Sequence, residues 1–161
     1  DSNNPMVVRY TKMTDNNPDI VIIEGGRNDY NKSVPMGENG STDTKTMKGA
    51  ARFLISKVQE KYPNALIICL TVWEVGGNPN SAGYYCSDYG RALLEVCADM
   101  GVPCINAMDQ EATGVKMTDS AFRAKYCMKP NDISHLNADG MKLVLPAFEK
   151  AIADFYAAKI K

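Results

Sequence analysis

The sequence predicts an α/β fold, a parallel sheet with helices packed on both of its faces. Two observations carry this reading. Apolar runs and amphipathic stretches alternate along the chain as strand, helix, strand, helix, strand, helix. Two of the runs, within "PDIVIIEG" and "LIICLTV", are almost continuously apolar. Strands buried on both faces of a parallel sheet have that character. No repeat, low-complexity tract or linker interrupts the pattern, so residues 1–161 read as a single domain.

Each element has its own signal. Residues 5–14 suit a short helix with Pro5 in its first turn. Residues 19–25 are the first strand, and 31–43, rich in Gly, Ser, Asn and Pro, are a loop. Residues 44–61 place Met47, Ala50, Ala51, Leu54, Ile55 and Val58 on one helical face. Leu66–Val72 is the second buried strand, and Trp73–Gly83 a loop full of breakers. Residues 84–100 form a helix with Tyr89, Leu93, Val96 and Cys97 inward, closed by Gly101. Val102–Ala107 is a third strand, followed by an irregular region with a helix near 119–126. The last helix runs from Ala138 to Tyr156, with Met141, Val144, Leu145, Phe148, Ile152 and Phe155 as its apolar stripe and a kink expected at Pro146.

Composition narrows the function. Lys plus Arg is 18 and Asp plus Glu is 19, a net charge of -1 that gives no reason to expect a nucleic-acid partner. No apolar run approaches the roughly 18 residues of a membrane span. There is no signal peptide, but the chain starts at Asp1, so a removed leader is conceivable and the compartment stays open. The five cysteines contain no CxxC pair, and with a single histidine no zinc site is expected. Cys69, Cys97 and Cys104 read as buried thiols, and a Cys86–Cys127 disulfide is an unsupported possibility.

Ligands of open α/β sheets bind beyond the carboxyl ends of the strands. The first strand ends there in Gly25-Gly26-Arg27-Asn28-Asp29. Its glycines allow tight backbone geometry and close approach of a substrate. The Asn28 amide can donate to a developing oxyanion, worth roughly 3 kcal/mol in measured cases, or can simply form a turn. Arg27 is a candidate contact for an anionic or sugar substrate, or a solvated charge; Asp29 reads as pinning the loop. Trp73 and Glu74 follow the second strand, Trp73 as a pocket wall or as core packing. The only histidine, His135, lies three residues after Asp132 in "NDISHLNADG". That spacing lets the carboxylate fold back onto one imidazole nitrogen and leave the other as a general base. The alternative is a helix-turn cap beside a surface histidine.

Together, Gly26-Arg27-Asn28-Asp29 after "PDIVIIEG" and Asp132-Ile133-Ser134-His135 before the last helix resemble the third and fifth blocks of the SGNH hydrolases, the GDSL-type esterases and lipases. "YPNALIICLT" is similar as well, and the resemblance spans about Asn4 to Tyr156. It implies a flavodoxin-like three-layer α/β/α sandwich and ester hydrolysis, on an acylated carbohydrate or lipid, by a Ser-His-Asp triad. His135 would be the base, Asp132 its orienter and Asn28 an oxyanion donor, with no cofactor. The family's Gly-Asp-Ser block and its second, glycine block are not found. Asp1-Ser2 is an unconvincing nucleophile, because the offset of 26 positions from Ser2 to Asn28 cannot hold a strand, a crossover and the 19–25 strand. Ser33, Ser41, Ser81 and Ser134 lack a nucleophile-like setting.

The first strands are therefore expected to be missing. The sheet would then have an open apolar edge, covered by a separate N-terminal segment or by a second copy of the chain. Two other readings remain. One is a non-catalytic glycan- or ligand-binding module on the same fold. The other is a flavin or nucleotide binder, disfavoured because "EGGRND" follows its glycines with polar residues instead of a helix N-terminus.

Overall fold

A computed structural model describes residues 5–14 and 17–159. The Asp1-Ser2 reading lies outside them. Among the described residues the sheet has three parallel strands in the order β1 (Ile20–Glu24), β2 (Leu66–Leu70), β3 (Cys104–Ile105). The helices are α1 (Met6–Arg9), α2 (Arg27–Asn31), α3 (Met47–Lys61), α4 (Cys86–Met100), α5 (Gln110–Thr113), α6 (Ser120–Tyr126) and α7 (Ala138–Lys159). A 3-10 turn, Tyr10–Lys12, continues α1.

β2 is the centre of the molecule, and all five of its residues are buried. Ile67 and Cys69 face a core built with Val21, Ile23, Ile55, Val58, Leu93, Val96 and Cys97, mostly from α3 and α4. Leu66, Ile68 and Leu70 face a second core with Ile105 of β3 and with Phe122, Leu136 and Val144 from α6, α7 and the segment between them. Alternation along β2 thus feeds one layer of helices on each side, the expected α/β/α sandwich. Side-chain pairs Lys48–Glu95 and Arg52–Asp99 bridge α3 to α4 at the surface.

β1 departs from the expectation of a strand buried on both faces. Val21 and Ile23 are buried, but Ile22 is 55% exposed and Glu24 is exposed. The cause is position: β1 is an edge strand, and α7 lies across β2 and β3. Met141 and Leu145, expected in the stripe of α7, are likewise exposed, while Val144 is fully buried. α7 continues through Pro146.

Two more elements differ. Gly26 is followed by a helix after all, the five-residue α2, so the glycines do lead into a helix start. α5 adds a four-residue helix to the region that the sequence reads as irregular. β3 is shorter than Val102–Ala107, and past its end the Ala107 amide bonds to the Thr71 hydroxyl at 2.8 Å. No disulfide joins Cys86 and Cys127, and all five cysteines are free. Cys86 opens α4 and its sulfur accepts from Arg27 Nη1 at 3.4 Å, whereas the Cys127 thiol meets the Met117 sulfur at 3.5 Å.

The start of α3 explains an otherwise unfavourable residue. Thr46 caps the helix, its hydroxyl accepting from the Gly49 amide at 3.3 Å. The backbone of Asp43 lies against Gly49, so a Cβ there would collide with the Asp43 carbonyl oxygen and sit 2.7 Å from its nitrogen. In an open helix Gly→Ala gains about 1 kcal/mol. Here Gly49→Ala is expected to lose roughly 1–3 kcal/mol by overpacking, read as a lower urea midpoint. A raised midpoint would contradict the packing of 41–46 on α3.

Candidate functional site

The site lies beyond the carboxyl ends of β1 and β2. Gly26 turns the chain out of β1 with φ of 107°, and a Cβ there would press on Val72 at 3.1 Å, so glycine is required on both counts. The first helical bond of α2 follows at once, from Tyr30 N to Gly26 O at 2.9 Å. α2 is then tied down from outside. Asn80 donates to the Tyr30 carbonyl and to the Tyr89 hydroxyl, both at 2.9 Å. Tyr89 passes its own proton to the Val34 carbonyl at 2.6 Å, and Tyr30 donates to the Asn78 carbonyl at 2.7 Å.

On this braced turn Asn28 is exposed, and its side chain makes no hydrogen bond among the described residues. Its amide is free to donate. Arg27 turns away, half-buried, with Nη1 on Cys86 and its guanidinium 5.6 Å from the Tyr30 ring centroid. Burial pushes the Asp29 carboxyl up, against backbone bonds at Asp29 and Gly26 and the charge of Lys32.

His135 sits on a loop closed at its base. The Met128 amide donates to the His135 carbonyl at 3.0 Å, and Cys127 pairs with Leu136 in an antiparallel bridge. Asn137 caps α7 by accepting from Gly140 N at 2.9 Å, while its amide donates to the Lys125 carbonyl at 2.8 Å. Trp73 is buried, and its indole N–H donates to the Ser134 carbonyl at 3.1 Å, strapping the loop to the end of β2. Trp73 thus stands beneath the histidine loop as part of the second core.

Asp132 organises the loop from inside. One oxygen accepts from the Ser134 and His135 amides at 2.8 and 2.9 Å, and the other lies 3.0 Å from His135 Nδ1. Desolvation pushes the Asp132 carboxyl up. The two amides, then the imidazole bond and the charge of His135, outweigh it and hold the carboxyl below its ordinary value. Its side chain is 18% exposed and that of His135 75%. With Nδ1 engaged, Nε2 is the nitrogen left to accept a proton.

The structure brings Asp132 onto His135, the contact that the three-residue spacing allows, and leaves the Asn28 side chain without a hydrogen bond among the described residues. Sequence reasoning missed Asn80, which braces α2. Asn80 carried only a generic turn signal. Among the described residues no serine hydroxyl bonds to His135: Ser33 and Ser81 bond each other at 2.7 Å, and Ser41 accepts from Asp43 N at 3.1 Å. A cleft of about 730 Å³ lies elsewhere, between Pro103–Asn106 and the second half of α7. No described helix is long and apolar enough to cross a membrane.

Because the folded Asp132 carboxyl is depressed, its contribution to stability is present above the unfolded value of about 4 and is lost as pH falls through the lower folded value. Asp132→Asn is therefore expected to lower the urea midpoint at neutral pH, and the gap to wild type should close as pH falls below the folded value. A gap that persists undiminished there would show that the carboxylate charge does not hold the loop.

The comparisons with known proteins agree with this architecture. The family model of the GDSL-like lipase/acylhydrolase family matches residues 2–143. One solved crystal structure is similar over 92% of this chain and 69% of its own, at 27% identity and TM-score 0.79. A protein of Lactobacillus plantarum is similar over 95% of this chain and 73% of its own, at 26% identity and TM-score 0.75. A Bacteroides ovatus protein named as a GDSL-like lipase shares the fold over 94% of this chain and 59% of its own, at 20% identity and TM-score 0.57. None of the curated proteins matches. With the family model covering most of its length, the chain belongs to the GDSL-like lipase/acylhydrolase family, a family of ester hydrolases.

Proposed function

We propose that the protein hydrolyses carboxylic esters through a Ser-His-Asp relay in which His135 is the general base, Asp132 its orienter and Asn28 an oxyanion donor. The observation that carries this reading is the Asp132–His135 contact at 3.0 Å through Nδ1, which leaves Nε2 unengaged. In the reaction Nε2 takes the proton of a serine hydroxyl as its oxygen attacks the ester carbonyl carbon. The carbonyl oxygen gains the negative charge and accepts from the Asn28 amide. His135 then returns the proton to the departing alcohol, and water releases the acyl group by the same path in reverse. No cofactor enters any step. An acylated sugar or a lipid ester is the proposed substrate class, with Gly26 allowing close approach and Trp73 supporting the histidine loop from below.

The serine is proposed to come from a polypeptide segment outside these 161 residues. Two features support that. No described serine bonds to His135, and among the described residues β1 stands at the edge of the sheet. A parallel strand paired there would end beside Gly25 and Gly26, on the same side of the sheet end as the histidine loop.

The test is intact-mass spectrometry after reaction with a fluorophosphonate serine probe, paired with hydrolysis of a p-nitrophenyl ester. The expected adduct is on a second polypeptide or on a form heavier than 17.6 kDa. In that form His135→Ala should lower kcat by about 10²–10⁴-fold and Asn28→Ala by about 10²–10³-fold. An adduct on the 17.6 kDa chain itself would overturn the supplied serine. Neither adduct nor turnover in any form would overturn the hydrolase and leave a binding module.

A further inference from the structure

The loop that carries His135 closes as a short antiparallel ribbon, and a ribbon sorts its side chains by face. Cys127 pairs with Leu136. Two bonds frame that pair, from Met128 N to the His135 carbonyl at 3.0 Å and from Asn137 N to the Tyr126 carbonyl at 2.9 Å. In an antiparallel register one step forward on one arm is one step back on the other, so Met128 stands opposite His135. Successive side chains alternate between faces. Cys127 and Leu136 are buried and point inward. Met128 and His135 therefore share the outer face, and their burial agrees: Met128 is 66% exposed and the imidazole is open to solvent. Directly opposed residues on one face have Cβ atoms roughly 4.5–5.5 Å apart. The methionine is the cross-strand neighbour of the imidazole.

The arm that bears Met128 is fastened on both sides of it. Arg123 donates through Nε to the Pro130 carbonyl at 3.3 Å and through Nη1 to the Met117 carbonyl at 2.7 Å. The Asn137 amide donates to the Cys127 carbonyl at 3.3 Å, and the Cys127 side chain is anchored in the second core. None of these contacts occupies the Met128 side chain. It is the most exposed large apolar side chain among the described residues, and Ile133, on the same loop, is exposed as well. A lone apolar residue in water is ordinary on a protein surface. What singles out Met128 is its place, on a held backbone beside the only histidine of the chain.

We propose that Met128 is a specificity-determining residue, an apolar wall beside His135 that receives the alcohol portion of the ester and favours an alkyl alcohol over a sugar or other polyol. The inference rests on the reading of His135 as the general base of an ester hydrolase. In that reaction Nε2 returns its proton to the departing alcohol, so the alcohol oxygen lies within hydrogen-bond reach of the ring. The carbon chain on that oxygen must then pass the residues that flank the imidazole, and Met128 is one of them. Its unbranched thioether adapts to chains of different shape. An alkyl chain laid against it leaves water at a gain, whereas a polyol gives up hydrogen bonds to water and finds none there. Between the two substrate classes, a lipid-like ester of an alkyl alcohol fits this wall, and a sugar as the leaving alcohol does not.

The single histidine gives a readout that needs no turnover. Its ring-proton NMR signals are followed while 1-hexanol is added to wild type, Met128→Ala, Met128→Leu and Met141→Ala, the last an exposed methionine of α7 that serves as control. Hexanol should move the signals in wild type, bind about 10-fold more weakly to Met128→Ala, and keep its affinity in Met128→Leu and Met141→Ala. Glycerol should leave the signals in place. The second arm uses the form that the serine probe labels and compares kcat/KM for hexyl acetate and glyceryl monoacetate, which share their acyl group. Met128→Ala should cut the preference for the hexyl ester about 10-fold, and Met128→Leu should retain it. A hexanol response absent in wild type, or unchanged in a Met128→Ala protein folded by circular dichroism, would overturn the proposal, as would an equal loss in Met141→Ala. A response that depends on Met128 in a protein that the serine probe never labels would keep the apolar wall and remove the hydrolase. Labelling with an unchanged ester preference in Met128→Ala would keep the hydrolase and remove the wall.

Discussion

The candidate site depends on one carboxylate. Asp132 accepts from two consecutive amides and faces the imidazole of His135, so a single side chain closes the turn and sets the ring. A histidine whose side chain is 75% exposed would otherwise sample its rotamers freely, at a cost when it must be ordered for chemistry. The hydrogen bonds to an ionised acceptor are the stronger kind. They are also local, two or three residues apart, so little chain entropy is spent in forming them. Everything else around the loop keeps that turn in place: the Trp73 strap, the Cys127–Leu136 bridge and the Asn137 cap of α7.

The other half of the site is arranged differently. Asn28 stands on a five-residue helix, too short to be stable alone. Its rigidity is borrowed from Asn80 and Tyr89, in the loop after β2 and in α4, and from the bond of Tyr30, within α2, to the Asn78 carbonyl. None of these bonds uses the Asn28 side chain. The network therefore holds the residue without occupying its amide, which suits a donor meant for a transient charge. Both halves are referred to the same two strands, since α2 leaves β1 directly and Trp73 follows β2.

What was legible in the sequence follows from the range of the forces involved. The alternation of strands and helices was readable because burial repeats along each element, and β2 is buried along its whole length. The Asp132–His135 contact was readable because a turn brings residues three apart together. β1 misled for a physical reason: Ile22 is as apolar as Ile68, and only the order of strands, a long-range property, leaves one exposed and buries the other. α2 was hidden because its start depends on Gly26 adopting a positive φ, with polar residues after it that look like a loop. The role of Asn80 was invisible, as its partner Tyr30 is 50 positions away. The disulfide suggestion failed for the same reason, since Cys86 and Cys127 have other neighbours in space.

The central claim is that Asp132 holds His135 with Nδ1 protonated, so that Nε2 is the free base. The tautomer can be read directly from the two ring-nitrogen chemical shifts of the single histidine in ¹⁵N-labelled protein, at a pH where the ring is neutral. The account predicts a protonated Nδ1 and an unprotonated Nε2. A neutral ring carrying its proton on Nε2 would contradict it, because Asp132 would then have no donor to hold and the base would be facing the wrong way.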